Sequence, residues 1–343
     1  MTALDGRQTI AEEASTAARQ TVSVVVPVYN SERILPDLIA RLSAVLGPAT
    51  SRYELVLVND GSRDGSWRVI GDLATRHAAV RGIDLARNYG QHNALLAGIL
   101  DARYDVIVTL DDDLQNPPEE IPKLLAKLDE GWDVVYGTPV GERHGFWRIV
   151  ASQVTKLTLQ TAMGAEMARS ISTFRAFRAG VREGFAHYRG PDVLIDVLLT
   201  WGTARFAAVP VRHDARPIGP SNYTVRTLIL HALNMMTGFS TLPLQIASLL
   251  GFALTLFGIG VLVFVLGRYL IEGTSVPGFA FLASIIAVFS GAQLFALGII
   301  GEYLARMHFR MMERPPYAVR QRADSEEPPF QEVGSSTVPT DRR

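Results

Sequence analysis

The chain has 343 residues, a formal net charge of -1 and no cysteine. The near-zero charge argues against general nucleic-acid binding, which needs a basic surface. The absence of cysteine excludes disulfides and thiolate metal sites.

The first twenty residues are polar and lack an apolar core, and they include Glu12 and Glu13. This is not the pattern of a signal peptide. We interpret residues 1–20 as a disordered lead.

From residue 21 onward, short apolar runs alternate with segments of helical spacing. The runs that predict strands are TVSVVVPVYN from Thr21, YELVLV from Tyr53, VRGIDLARN from Val80 and YDVIVTL from Tyr104. We expect Pro27 to end the first strand and Ser31 to cap the following helix. The alternation predicts an α/β fold, a doubly wound and mostly parallel sheet with helices on both faces.

Polar clusters follow the predicted strands. They are PVYNSE, NDGSRDGS, ARNYGQHNA and DDDLQNPPE. Because ligands of such sheets bind outside the carboxyl ends of the strands, we expect the functional site there. No GxGxxG follows the first strand and no GxxxxGK[ST] occurs, so neither a dinucleotide fold nor a P-loop is indicated.

The acidic run after the fourth strand is the strongest candidate for metal chemistry. If the backbone is extended there, Asp111 and Asp113 point the same way and Asp112 points away. With the Gln115 amide oxygen they form a hard oxygen site suited to Mg²⁺ or Mn²⁺. We expect Pro117 and Pro118 to force the chain out of the strand. The alternative is a solvated acidic loop.

Three other polar positions are ambiguous from the residues alone. Asp60 lies in a turn-forming sequence, or it accepts a hydrogen bond from a base or a sugar. Tyr29 packs locally, or it stacks on a base. Arg87 forms a surface ion pair, or it contacts a phosphate.

Two long apolar segments lie near the C-terminus. Leu242–Leu270 has no charge before Arg268, and Val276–Ile300 has none. Each exceeds the roughly 20 residues that cross a bilayer, so we expect a transmembrane helical hairpin, with buried core helices as the alternative. Basic residues after the second segment predict that both ends of the chain are cytoplasmic, at the inner membrane.

Apolar residues at helical spacing predict an interfacial amphipathic helix before the first span. The expected organisation is a lead (1–20), a cytoplasmic catalytic domain (21–222), the interfacial helix (223–241), two transmembrane helices (242–302), and a cytoplasmic tail that is disordered at its end (303–343).

Taken together, the motifs resemble those of the family 2 glycosyltransferases with a GT-A fold. They resemble most the polyprenyl-phosphate and dolichol-phosphate glycosyltransferases. The matching runs are VVVPVYN, LVNDGSRDGS, LARNYGQHNALLAGI, DDDLQNPPEEIP, DVVYG, VPVRHDARPIGPSNY and the two apolar segments. The resemblance covers roughly Thr21 to Tyr317.

The resemblance implies a nucleotide-diphosphate sugar donor, a polyprenyl phosphate acceptor and a divalent metal, Mg²⁺ or Mn²⁺. It implies that Asp113 and Gln115 bind this metal. The implied nucleotide-binding residues are Pro27, Tyr29, Asn30, Glu32, Asp60, Arg87, Gln91 and Asp111. The implied catalytic residues are Asp113, Arg143, Arg175 and Arg216, and the implied phosphate-binding residues are Arg143, Arg148, Arg216 and Ser221.

Three positions depart from the family's pattern. Ser31 stands where Glu is common, Thr173 where an Asp often precedes Phe-Arg, and Asn222 where Lys is common. Thr173 leaves one proposed catalytic carboxylate in doubt. The rival functions are a processive polysaccharide synthase, whose QxxRW motif is absent from the sequence, and a non-catalytic membrane scaffold or lipid-binding protein. The sugar, the nucleotide and the oligomeric state, including a homo-oligomer, stay open.

Overall fold

The structure is a computed structural model that describes residues 20–139, 170–190, 193–214, 242–272, 279–312 and 314–324. The chain divides into two compact units. The first comprises Met1–Leu114 and Tyr317–Arg343, and the second comprises Gln115–Pro316.

The described elements are eight strands and seven α-helices. The strands are β1 (Thr21–Val28), β2 (Arg52–Asn59), β3 (Val80–Leu85), β4 (Val106–Thr109), β5 (Val134–Pro139), β6 (Arg175–Arg178), β7 (Phe206–Val211) and β8 (Val319–Ala323). The helices are α1 (Leu35–Ala49), α2 (Ser66–Arg76), α3 (Gln91–Asp101), α4 (Ile121–Asp129), α5 (Ile195–Gly202), α6 (Leu242–Glu272) and α7 (Phe279–Met311).

The first unit contains a sheet in the order β4-β1-β2-β3-β8. The strands β1 to β4 are parallel, and β8 pairs antiparallel with β3. The predicted α/β class and the four predicted strands are confirmed. The sheet is mixed because β8 runs antiparallel to β3. This strand was not predicted, since its residues VRQRA are mostly polar.

Helices cover both faces of this sheet. Leu57 and Gly82 are register partners, and a side chain at Gly82 would meet Ile70 of α2. A Cβ at Gly98 of α3 would meet Val25 and Val58, which lie on the opposite face. The four parallel strands are therefore nearly fully buried, as expected for a parallel sheet covered on both sides.

The strand order reverses between β1 and β4, because β2 and β3 extend to one side of β1 and β4 lies on the other. This is a topological switch point, where the loops that follow β1 and β4 separate and leave a crevice. The fold thus positions the acidic run after β4 next to the segment after β1.

Two boundaries differ from the prediction. Pro27 does not end β1, since it is buried within the strand and is the register partner of Val58. The first helix begins at Leu35 rather than at Ser31, because the Ser31 carbonyl accepts from Ile34 and Leu35 in a preceding turn. The Ser31 hydroxyl does not cap this helix.

The second unit contains strands in the order β7-β5-β6, with β7 parallel and β6 antiparallel to β5. Apolar side chains of α4 and α5, with Tyr136 of β5 and Phe174, form its core. Two short 3-10 helices, Pro118–Glu120 and Ala179–Phe185, complete the described part outside the apolar helices.

The apolar helices α6 and α7 also belong to the second unit. Among the described residues, one helix is long and apolar enough to cross a membrane, over Leu244–Arg268 with a mean hydropathy of 2.7. A shorter apolar stretch covers Phe289–Ala305 of α7. The two helices meet where Gly258 leaves room for the Phe289 ring.

Candidate active site

The segments after β1 and β2 are joined by hydrogen bonds. The backbone N–H of Asn30 donates to the Ser62 hydroxyl (3.0 Å), and that of Ser31 donates to the Ser66 hydroxyl (2.9 Å). In return, the N–H of Gly65 donates to the Glu32 carboxylate (2.8 Å). The two loops therefore form one rigid rim, which holds the Tyr29 ring 44% exposed.

Asp64 is the second acid in this rim. Burial alone would raise its pKa, but hydrogen bonds from the Ser66 hydroxyl and the N–H groups of Ser66 and Glu32 lower the pKa below its ordinary value. The carboxylate therefore stabilises the loop in its charged form.

Asp60 links the segment after β2 to the segment after β3. Its two carboxylate oxygens accept from the N–H groups of Tyr89 (2.7 Å) and Gly90 (2.8 Å). Burial raises the pKa of Asp60, while these two donors act in the opposite direction. The structure thus uses Asp60 to hold a loop, and a role at a base or ribose would come in addition to this.

Gln91 and Asp111 are in direct contact. The Gln91 side-chain amide, in the first turn of α3, donates to the Asp111 carboxylate after β4. Both side chains are only half-buried. The structure therefore brings together the predicted residues Tyr29, Asn30, Glu32, Asp60, Gln91 and Asp111 at the carboxyl edge of the sheet.

Asp112, which was expected only to point away from Asp111 and Asp113, contacts the segment after β1. Its carboxylate accepts from the Ser31 hydroxyl (2.5 Å) and from the Tyr29 N–H (3.2 Å). Asp112 thus closes the crevice between β1 and β4 from the β4 side. Sequence analysis missed this contact, although the unusual Ser31 was a signal that the position has its own partner.

The acidic run is a turn rather than an extended segment. The strand β4 ends at Thr109, residues 112–116 bend, and Leu114 has a positive φ of 58°. The alternation expected for extended backbone therefore does not apply. The prolines also act differently from the expectation, because Pro117 and Pro118 begin a 3-10 helix well after the strand has ended.

The side chains of this turn fit a hard divalent cation by their donor chemistry. Asp111 is half-buried, Asp113 is 7% exposed, and Gln115 adds an amide oxygen. In the described part of the chain, no group of three or more His, Cys, Asp or Glu side chains could hold a metal ion. A cation here would complete its shell with substrate and water oxygens, as Mg²⁺ usually does.

In the second unit, the segment that begins at Gln115 forms hydrogen bonds with the residues that follow β7. The N–H of Asp214 donates to the Gln115 carbonyl (2.8 Å), and the His213 ring lies 3.3 Å from the Asn116 side-chain oxygen. Sequence analysis did not single out Asn116 or His213. These contacts join Gln115 and Asn116 to the residues that follow β7 within the second unit.

Arg175, which the family resemblance implies to be a catalytic residue, lies in the interior of the second unit. It is fully buried and forms an ion pair with Asp196, which also accepts from the Tyr136 hydroxyl (3.1 Å). Burial and the Asp196 charge raise the pKa of Tyr136. A guanidinium held in the interior in this way organises the second unit and does not present its donors to a ligand.

Two further candidates have defined surroundings. The Arg87 guanidinium lies over the Tyr89 ring, 4.7 Å from its centre, which is a cation–π contact. Pro27 is buried in β1, so its side chain is not available to a nucleotide. The candidates Arg143, Arg148, Arg216 and Ser221, and the predicted interfacial helix, lie outside the described residues.

Comparison with known proteins finds a family model that matches a little under half of the chain. The model of the family described as Glycosyl transferase family 2 matches residues 23–186. Among solved structures, the chain is similar to glucosyl-3-phosphoglycerate synthase from Mycobacterium tuberculosis in complex with Mn²⁺, UDP and glucosyl-3-phosphoglycerate. The identity is 20% and the TM-score 0.47, with 66% of this chain and 80% of that chain covered. It is also similar to mannosyl-3-phosphoglycerate synthase from Rubrobacter xylanophilus, at 17% identity and a TM-score of 0.46, with 65% and 74% covered.

Proposed function

We propose, from the match of residues 23–186 to the model of Glycosyl transferase family 2, that this protein transfers a sugar to a polyprenyl phosphate. The donor is a nucleotide-diphosphate sugar, and the transfer inverts the anomeric carbon. The product is a polyprenyl-phosphate sugar at the cytoplasmic face of the membrane.

The observation that carries the proposal is the convergence of four loops at the switch point of the first unit. Asp60 holds the loop after β3, Gln91 holds Asp111, and Asp112 holds the loop after β1. The result is an exposed aromatic ring, Tyr29, beside half-buried polar side chains. This is the composition expected for a site that stacks a base and bonds a ribose.

The chain's own residues then have separable roles. Tyr29, Asn30, Glu32 and Asp60 bind the base and ribose of the donor, with Arg87, Gln91 and Asp111 nearer the diphosphate. Arg143, Arg148, Arg216 and Ser221 bind phosphate oxygens of the donor and acceptor, since the arginine fork matches phosphate geometry. Because Arg175 is buried against Asp196, we assign it to positioning rather than to the acceptor.

Asp113 and Gln115 would hold a divalent cation, Mg²⁺ or Mn²⁺, which supplies Lewis-acid stabilisation of the leaving diphosphate. Cationic side chains add to this stabilisation where negative charge develops. The acceptor phosphate has a second pKa of about 6 and is already largely ionised at neutral pH. A strong protein base is therefore not required for its attack.

Two features support a membrane-bound acceptor. The first is the apolar helix over Leu244–Arg268. The second is the pairing of β3 with β8, since these strands flank α6 and α7 in the chain and must lie on one side of any membrane. The chain between them must therefore cross an even number of times, and we assign the crossing that would accompany a span in α6 to α7, which holds the shorter apolar stretch Phe289–Ala305.

The test is transfer from a panel of nucleotide sugars to radiolabelled polyprenyl phosphate in membranes that contain the full chain. We expect one donor to give a glycolipid, and Asp113→Asn to lower the rate on the order of 100-fold or more. Asp72→Asn, an exposed acid on α2, is the matched control and should leave the rate unchanged.

The same assay separates the rival functions. A polymer product would indicate a processive synthase, and no product with any donor would favour a scaffold or lipid-binding protein. Transfer to phosphoglyceric acid instead of the lipid would contradict the proposed acceptor. Full activity of Asp113→Asn would contradict the metal assignment.

A further inference from the structure

The strand β8 lies at the edge of the sheet beside β3, and Ala318 and Arg320, at its start, contact the beginning of the loop after β3. The Ala86 N–H donates to the Ala318 carbonyl (2.8 Å), and the Arg320 guanidinium donates to the Ala86 carbonyl. The register of the pair shifts between Asp84 and Leu85, where this loop begins. Both backbone groups of Ala86 are thus fixed by residues that follow the apolar helices.

Arg320 also contacts a carboxylate inside the fold. Its guanidinium lies 3.4 Å from Asp84, which is only 2% exposed. The Asn59 side-chain amide donates to the same carboxylate (2.7 Å), and the Asn59 oxygen accepts from the N–H of Ser62 (3.4 Å). Since a buried carboxylate needs a cation or donors to offset its desolvation, Arg320 stabilises Asp84 and, through it, the loop after β2.

The contacts of Arg320 with Ala86 and with Asp84 both bear on the position of Asp60. The loop after β2 carries Asp60, and the loop after β3 carries the Tyr89 and Gly90 N–H groups that Asp60 binds. We propose that Arg320 is a positioning residue for the donor site: it holds the two loops in register so that the Asp60 pair forms. The identity of the ligand in this site rests on the proposed function above.

A simpler alternative is that β8 only covers an otherwise open strand edge, as charged edge strands often do. Arg322 offers the matched control. It lies on the same strand and is similarly exposed, but it pairs with Asp101 at the far end of α3. An eleven-residue helix is about 16 Å long, so this contact is remote from Gln91 and the donor loops.

The experiment measures donor kinetics of the full chain in membranes for Arg320→Ala, Arg320→Lys and Arg322→Ala. We expect Arg320→Ala to raise the KM for the nucleotide sugar about tenfold with little change in kcat, as for loss of a hydrogen-bonded buried charge. Arg320→Lys should restore part of the affinity, because lysine keeps the charge against Asp84. Arg322→Ala should leave KM near the wild-type value. Equal effects of Arg320→Ala and Arg322→Ala would overturn the proposal in favour of edge covering.

Hydrogen–deuterium exchange gives a second readout that does not depend on catalysis. In Arg320→Ala, the amides of Tyr89 and Gly90 should exchange faster while those of β1 keep their protection. If these two amides are as protected in Arg320→Ala as in the wild type, the proposal is wrong. If the exchange changes as expected but no donor is turned over by the wild type, the proposed function fails and the positioning role of Arg320 stands.

Discussion

Asp112 holds the segment after β1 through one hydroxyl and one backbone N–H, at Ser31 and Tyr29. In a run of three acids, each carboxylate has a different partner environment: Asp111 meets Gln91, Asp112 meets Ser31, and Asp113 is nearly buried. At the residue scale, the chemistry of the run is therefore divided between loop positioning and candidate ligand binding.

Removing the Ser31 hydroxyl should loosen the Tyr29 segment. We expect Ser31→Ala to raise the KM for the donor by about tenfold, which corresponds to a charge-assisted hydrogen bond. Asp112→Asn keeps an acceptor oxygen and should have a smaller effect. The measurement is the KM for the donor in both variants, with Asp72→Asn as the control. An unchanged KM in both variants would mean that the hydrogen bond between Ser31 and Asp112 is not needed for donor binding.

The lowered pKa of Asp64 predicts an acid sensitivity of the rim. A carboxyl group with a depressed folded-state pKa stabilises the fold above its ordinary value, here 3.8, and this contribution is lost as the pH falls through the folded value. Asp64→Asn should therefore lower the melting temperature at pH 7. The difference from the wild type should shrink as the pH falls below about 4. A constant difference across this range would contradict the assignment of the charge.

At the element scale, the site depends on loops that approach one another closely. Gly61 has a φ of +65°, and a Cβ there would lie 2.5 Å from the Asn88 backbone nitrogen and 2.6 Å from the Arg87 carbonyl carbon. The loops after β2 and β3 can touch only because this position lacks a side chain.

Gly61→Ala should therefore separate the two loops and destabilise the protein by about 1–3 kcal/mol. Gly71→Ala is the control in which an added Cβ meets no atom, because Gly71 lies in α2 with open space around it. That change should stabilise by about 0.5–1 kcal/mol. Thermal unfolding of both variants in detergent checks the pair, and equal melting temperatures would contradict the close approach.

At the scale of the whole molecule, the chain leaves the sheet, passes through two long apolar helices and returns to the sheet as β8. Because β8 pairs with β3, the sheet of the first unit and the residues of β8 would lie on the same side of any membrane that the apolar helices enter. In our proposal, it also makes the donor site dependent on residues that follow the two apolar helices.

The absence of native cysteine makes the topology directly measurable. Single cysteines at Ser51 and Gln321, both exposed in the first unit, should react with a membrane-impermeant maleimide only after cells are permeabilised. A cysteine at Ser275, between α6 and α7, should react from outside intact cells. Labelling of Ser275 only after permeabilisation would contradict the two-span arrangement.

Much of the fold and part of the site could be predicted from sequence because the signals are local. The alternation of β-branched runs with helical spacing determined the α/β class, and the carboxyl ends of the strands determined the edge of the sheet at which Asp60 and Asp111 lie. The apolar segments are likewise continuous in sequence. Each of these inferences uses neighbours within a few residues, where periodicity is informative.

Tertiary structure alone decided what holds the site together. Asp112 meets Tyr29 across 83 residues, and Arg320 meets Asp84 across 236. A contact between distant polar residues leaves no periodic trace in either segment, and a short polar edge strand such as β8 lacks the apolar alternation that marks a buried one. The sequence therefore determined which chemical groups are present at the crevice, and the packing of the sheet decided which of them stay exposed and which hold the loops.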